Sequence, residues 1–99
     1  MGAIVYISIG NSDDKLTQRE WAGYFSAVAL MLQHRGKVHG QWASEPASAW
    51  QNACWCIEFT DPDQMSDTKR DLAVVADYNR QDSIAWAEVR ETEFLGPKS

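Results

Sequence analysis

AIVYISI, residues 3 to 9, is a continuous apolar, largely β-branched run without a charge. Such a run reads as a strand buried on both faces, at the middle of a sheet. NACWCIEF, residues 52 to 59, has the same character. Two central strands need neighbours and a cover, and the sequence around them supplies both. GNSDDKL is a loop, and Thr17-Gln18-Arg19-Glu20 after it is a capping box. There the threonine hydroxyl takes a free amide of the first turn and Glu20 reaches back. The helix so opened is expected to run to His34 or Arg35, with Gly36 as a left-handed C-cap. KVHGQWA (37–43) reads as a strand and SEPASA as a loop. Asp61-Pro62-Asp63 ends the 52–59 strand and opens a second helix, expected over 64–80. SIAWAEVRETEF (83–94) is a last strand, and Gly96-Pro97 closes the pattern.

The order is β-α-β-β-α-β, which is that of the ferredoxin-like split βαβ unit. Its fold class is α+β: a four-stranded antiparallel sheet with two helices on one face. In that topology the first and third strands are the central pair, and they are also the two most hydrophobic strands here. No repeat, linker or low-complexity segment interrupts the chain, so residues 1–99 are read as a single domain. The chain is 44% hydrophobic and 23% charged, the balance of a folded rather than a disordered protein. Acids outnumber bases 14 to 9, for a net charge of -5. That excludes a general nucleic-acid or anionic-membrane binder, because phosphates are held by lysine and arginine. MGAIVYISIG lacks the basic n-region of a signal peptide, and Tyr6 stands where a myristoylation pattern wants Ser or Thr. A cytoplasmic protein is expected.

Alternation assigns the strand faces. Val5, Ile7 and Ile9 oppose Ile4, Tyr6 and Ser8; Ala53, Trp55, Ile57 and Phe59 oppose Asn52, Cys54, Cys56 and Glu58. In the last strand Ala85, Ala87 and Val89 oppose Ile84, Trp86, Glu88 and Arg90. An unpaired charge in the core is costly, so the sets holding Glu58, Glu88 and Arg90 are expected to face away from the helices. The open face then carries Ile4, Tyr6, Cys54, Cys56, Ile84 and Trp86, which is too apolar for a fully wetted surface. The second helix is amphipathic, with Met65, Leu72, Val75 and Ala76 as its stripe. The first contains WAGYFSAVALMLQ, residues 21–33, thirteen positions without a charge. Trp21, Tyr24, Phe25, Val28 and Leu32 form a core stripe, while Gly23, Ser26, Ala27, Leu30 and His34 lie on the far side. Two spare surfaces result, and one or both are expected to be oligomer contacts. Tyr6, Ile84 and Trp86 on the sheet, Leu30 on the first helix, and Trp42 and Trp50 beside the SEPASA loop are the expected contact residues. Trp and Tyr are common anchors of protein interfaces.

Chemistry has thinner support. Cys54 and Cys56 share a face with Cα atoms about 6.5–7 Å apart, at or beyond disulfide range, and no CxxC or zinc spacing occurs. The ends of strands one and three and the starts of strands two and four are expected at one edge. That edge would gather Asp13, Asp14, Asp61, Asp63 and Asp82, with Lys37 and His39 nearby. Carboxylates so grouped can hold Mg²⁺ or Ca²⁺, but aspartate is equally favoured in loops and ahead of helices. His39 with either cysteine would form a thiolate–imidazole pair if the register allowed; His34 reads as a helix C-terminal charge. Gly10-Asn11-Ser12 lacks the pattern of a phosphate loop. No catalytic residue, metal or cofactor is assigned.

VYISIGNSDDK resembles the start of the small CRISPR-associated metal-dependent nucleases, ferredoxin-like dimers with an acid at the end of strand one. Ser8 stands where that acid would be wanted, and the basic surface for nucleic acid is missing. RNA-recognition modules stack bases on such sheets, but their Lys/Arg-Gly-Phe run is absent here. YISIGNSDDKLTQREW, and WQNACWCIEF through RQDSIAWAE, resemble small proteins of unassigned function from actinobacteria and their phages. That resemblance implies an accessory protein of a phage or mobile element and transfers no catalytic residue. The expectation is a self-associating protein, first of all a dimer, acting through protein–protein contacts and binding neither nucleic acid nor membrane. The alternative is a small-molecule enzyme in which two sheets pair into a barrel, as in cofactor-free monooxygenases, with Cys54, Cys56, His39 and Glu58 as its polar groups. That rests on fold-level analogy.

Overall fold

The computed structural model describes residues 2–11, 14–45 and 51–97. Six elements follow in chain order: β1 (Ala3–Gly10), α1 (Gln18–Arg35), β2 (Lys37–Ala43), β3 (Asn52–Phe59), α2 (Pro62–Tyr78) and β4 (Ala85–Glu88). The sheet order is β2-β3-β1-β4, and every neighbouring pair is antiparallel. This is the ferredoxin-like α+β arrangement, with the two apolar stretches at its centre.

Register explains the core. Val5 lies opposite Ile57, Ile7 opposite Trp55 and Ile9 opposite Ala53. Directly paired residues share a face, so the odd-numbered side chains of both central strands point together at the helices. Those six, with Phe59, are at most 2% exposed. Tyr24, Val28 and Leu32 close the core from α1, and Thr68, Leu72 and Ala76 from α2. Each large apolar side chain buried this way stabilises by about 1.5–3 kcal/mol. The Thr68 hydroxyl donates to the Gln64 carbonyl at 2.6 Å, so it enters the core without an unmade bond. The Arg35–Asp71 ion pair at 2.7 Å ties the end of α1 to α2.

The capping box forms as expected. Thr17 Oγ1 accepts from the Glu20 amide at 3.2 Å, and Glu20 Oε1 accepts from the Thr17 amide at 3.0 Å. α2 begins two residues early because Asp61 is its N-cap, accepting from the Asp63 amide, with Pro62 in the first turn.

Four expectations are corrected. Gly36 is extended (φ -165°), not left-handed, because α1 passes straight into β2. Its lack of a side chain serves close approach: a Cβ there would lie 2.5 Å from the Glu58 carbonyl oxygen. β4 stops at Glu88 rather than running to 94. Val5 pairs with Glu88, and one last bond joins the Val89 amide to the Ile4 carbonyl. Two residues further on, the register reaches the end of β1 at Ala3, and later residues have no strand to pair with.

The faces of β4 are also reversed. Trp86 lies opposite Ile7, so Trp86 and Ile84 sit on the helix side and pack against the core. Glu88 tolerates that side because it ends an edge strand, where its carboxylate still reaches water. Finally, the acids do not share one edge. β1 and β3 are antiparallel, so their ends lie at opposite edges of the sheet. Asp14 and Asp82 flank one edge, where Lys15 pairs with Asp82 at 3.3 Å, and Asp61 and Asp63 flank the other with Lys37. Asp13 lies outside the described residues.

Candidate functional site: the uncovered sheet face

The helices cover one face of the sheet, and the described residues place nothing over the other. Its composition can be read row by row from the register. Trp42 pairs with Cys54, which neighbours Ser8 and then Ala85. Gly40 pairs with Cys56, followed by Tyr6 and Ala87. A third row runs from Glu58 to Ile4, with Val89 bonded beyond it. Tyr6 is 45% exposed and Trp42 59%. Among the described residues charge enters this face only at one end, where Glu58 and Lys37 pair across the strands and His39, in a bulge between Val38 and Gly40, has its Nε2 2.8 Å from Glu58 Oε1.

The polar groups on this face answer one another. The Tyr6 hydroxyl is held above the usual phenol range, first by its hydrogen bond with the Cys56 thiol, then by the charge of that sulfur, by desolvation and by Cys54. Cys54 and Cys56 are both free thiols, as their spacing on one strand face requires. The Cys54 Sγ makes a long contact of 3.9 Å to the Trp55 carbonyl. His39 bonds to Glu58 rather than to a thiol, so the pairing of His39 with a cysteine is not the arrangement found. Among the described residues no group of three or more His, Cys, Asp or Glu side chains is placed to hold a metal ion.

The six expected contact residues therefore divide. Tyr6 and Trp42 share the uncovered face. Leu30 is 58% exposed on the outside of α1, on the other side of the molecule. Ile84 and Trp86 belong to the helix side, and Trp50 lies outside the described residues. The far side of α1 has a partial cover of its own: Gly23 and Ala27 line a groove of about 680 Å³ with Val74 and Tyr78 of α2. Sequence reading missed Ala85, Ala87 and Val89 on the uncovered face, and Val74 and Tyr78 on the helix side. The signal for the latter was present, since they are four residues apart and off the Leu72–Ala76 stripe.

The class these observations define is a two-layer ferredoxin-like domain with one apolar sheet face bare. No family model matches the chain, and no curated protein does. A solved structure described as a dimeric ferredoxin-like protein from an uncultured marine organism is similar to it, with a TM-score of 0.48 and 8% identity over 97% of this chain and 93% of that one. No described helix is long and apolar enough to cross a membrane.

Proposed function

We propose that this protein works as a homo-oligomer, a dimer in the first instance, that associates through the uncovered sheet face and acts by binding another protein. The observation that carries the reading is that face itself. Ile4, Tyr6, Trp42, Cys54, Cys56 and Val89 lie together, with charge confined to one end. A sheet whose second face is solvated normally alternates apolar-in with polar-out, and this one does not. The resemblance to small actinobacterial and phage proteins suits an accessory role and leaves the target unnamed.

Light scattering behind a sizing column tests the proposal. The wild type is expected at twice the chain mass. Trp42→Glu, on an edge strand and already mostly exposed, is expected to shift it to the monomer, while Leu30→Asp leaves it unchanged. A monomeric wild type, or a dimer broken by Leu30→Asp and not by Trp42→Glu, would overturn it.

A second reading has two observations in its favour. The Tyr6–Cys56 bond and the His39–Glu58 pair would put polar groups inside a sheet-to-sheet dimer, where a small substrate could bind. Thiol labelling of the dimer at neutral pH separates the two. Slow labelling fits packed thiols, and rapid labelling of Cys56 alone fits chemistry.

A further inference from the structure

Away from that face, a cleft of about 420 Å³ opens between α2 and the edge strand β4. Leu72 and Ala76 of α2 form one wall, and Ile84 and Trp86 of β4 the other. The Trp86 indole stacks on Phe59, with ring centroids 5.6 Å apart and planes 24° from parallel, so one face of the ring rests on the core. Over the same ring lies the Lys69 ammonium, 5.0 Å from the centroid. Lys69 has no carboxylate partner among the described residues. The Trp86 Nε1 is buried and has no hydrogen-bond acceptor among the described residues. An indole N–H seldom stays without an acceptor when buried.

A cation and an unpaired donor thus meet at one aromatic ring, in a cleft of ordinary ligand size whose walls are apolar and whose rim carries Asp77, Gln81, Asp82 and Ser83. The acids that line the cleft do not cancel them. Asp82 is engaged by Lys15 at 3.3 Å. Asp77 is two helical turns from Lys69, about 12 Å along the axis.

We infer that the cleft between α2 and β4 is a binding site for a small planar aromatic carboxylate. Its ring lies against Trp86 between Leu72 and Ile84, and its carboxylate accepts from Lys69. One carboxylate oxygen also takes the Trp86 Nε1–H, which a small rotation of the indole brings into reach. The site is independent of the uncovered sheet face and of the oligomeric state.

The test is a titration of the full chain followed by ¹H–¹⁵N spectra, with 2-naphthoate as the probe. Its neutral amide and 2-naphthylmethylamine serve as comparisons. Naphthoate is expected to move the Trp86 indole N–H downfield, together with the amides of Ala73, Ala76 and Ser83. Trp86→Phe assigns the indole signal by its loss. Lys69→Gln changes only an exposed side chain, so its fold is not at risk, and it should weaken binding by about tenfold, the scale of a lost charge-assisted hydrogen bond. The amide should be weaker than the acid by a similar factor, and the amine weaker still. Any of four results overturns the inference: no shift at millimolar naphthoate, amide or amine binding as well as the acid, Lys69→Gln binding unchanged, or shifts centred on Tyr6, Trp42 and Cys56.

Discussion

Tyr24 carries one of the two buried, unpartnered side-chain polar atoms among the described residues. It is 1% exposed, and burial pushes its phenol up to about 12 from an ordinary value of 10.0. A raised phenol pKa means that the folded state keeps a proton the unfolded chain gives up. Stability that depends on Tyr24 is therefore fully present below pH 10 and drains away as pH rises toward 12. Tyr24→Phe removes both the orphaned hydroxyl and the titration. At pH 7 the variant should unfold at the same urea concentration as the wild type or a higher one, since losing an unpaired polar atom costs little. Between about pH 10 and pH 12 it should lose less stability than the wild type, by on the order of 2 kcal/mol. An equal alkaline loss in both proteins would show that Tyr24 is not the group responsible. Gly36 makes the opposite kind of point. Its extended φ is open to any residue, so the cost of Gly36→Ala is purely steric, a Cβ forced against the Glu58 carbonyl. Denaturant unfolding should report a loss of about 1–3 kcal/mol.

At the scale of elements, what the sequence made legible and what it hid have one explanation. The two central strands, the capping box and the core stripes are local or periodic signals, and the protein shows them where alternation and helical spacing place them. The left-handed cap at Gly36 failed because the next strand starts at once, which a cap motif does not reveal. The face of β4 failed because the rule that keeps charge out of the core was applied to Glu88 as if the strand were central. At the end of an edge strand a carboxylate on the core side remains wet, and the aromatic ring of Trp86 settles the face instead. The candidate site inherited that error: Tyr6 lies on the uncovered face as alternation expects, Trp42, read only as a residue beside the loop, joins it there, and Ile84 and Trp86 lie on the helix side. The length of β4 is a pairing effect. Nothing in VRETEF forbids a strand, but β1 ends at Ala3 and leaves it without a partner. Hydrogen exchange gives a direct check. The Val89 amide, bonded to the Ile4 carbonyl, should be protected, while the amides from Glu91 to Leu95 should exchange at near-unfolded rates. Protection continuing through Phe94, which is 91% exposed, would mean that the segment pairs with another chain.

The whole molecule is a slab, 48 by 38 by 19 Å. Its radius of gyration of 14.9 Å exceeds the ~12.6 Å expected of a compact chain this long. One helix layer on one sheet gives that thinness, and a second copy set sheet to sheet would double the short axis to match the middle one. Electrostatics oppose the pairing, because each chain carries a net charge of -5, and the face itself offers little compensation, its charged side chains being Glu58 and Lys37 at one end. In the proposed dimer apolar burial would drive association, with long-range repulsion working against it. Salt shortens the reach of that repulsion from about 30 Å at 0.01 M to about 8 Å at 0.15 M, while leaving apolar burial nearly untouched. The dimer should therefore tighten as sodium chloride is raised across this range, by several-fold in Kd, measured by sedimentation equilibrium at matched protein concentration. An interface built on ion pairs would do the reverse. It would point away from the sheet to the other side of the molecule, where Arg80 and Glu20, now bonded to each other at 2.8 Å, border the groove between α1 and α2. The sign of the salt dependence thus separates the proposed sheet-to-sheet dimer from one built on the α1–α2 side.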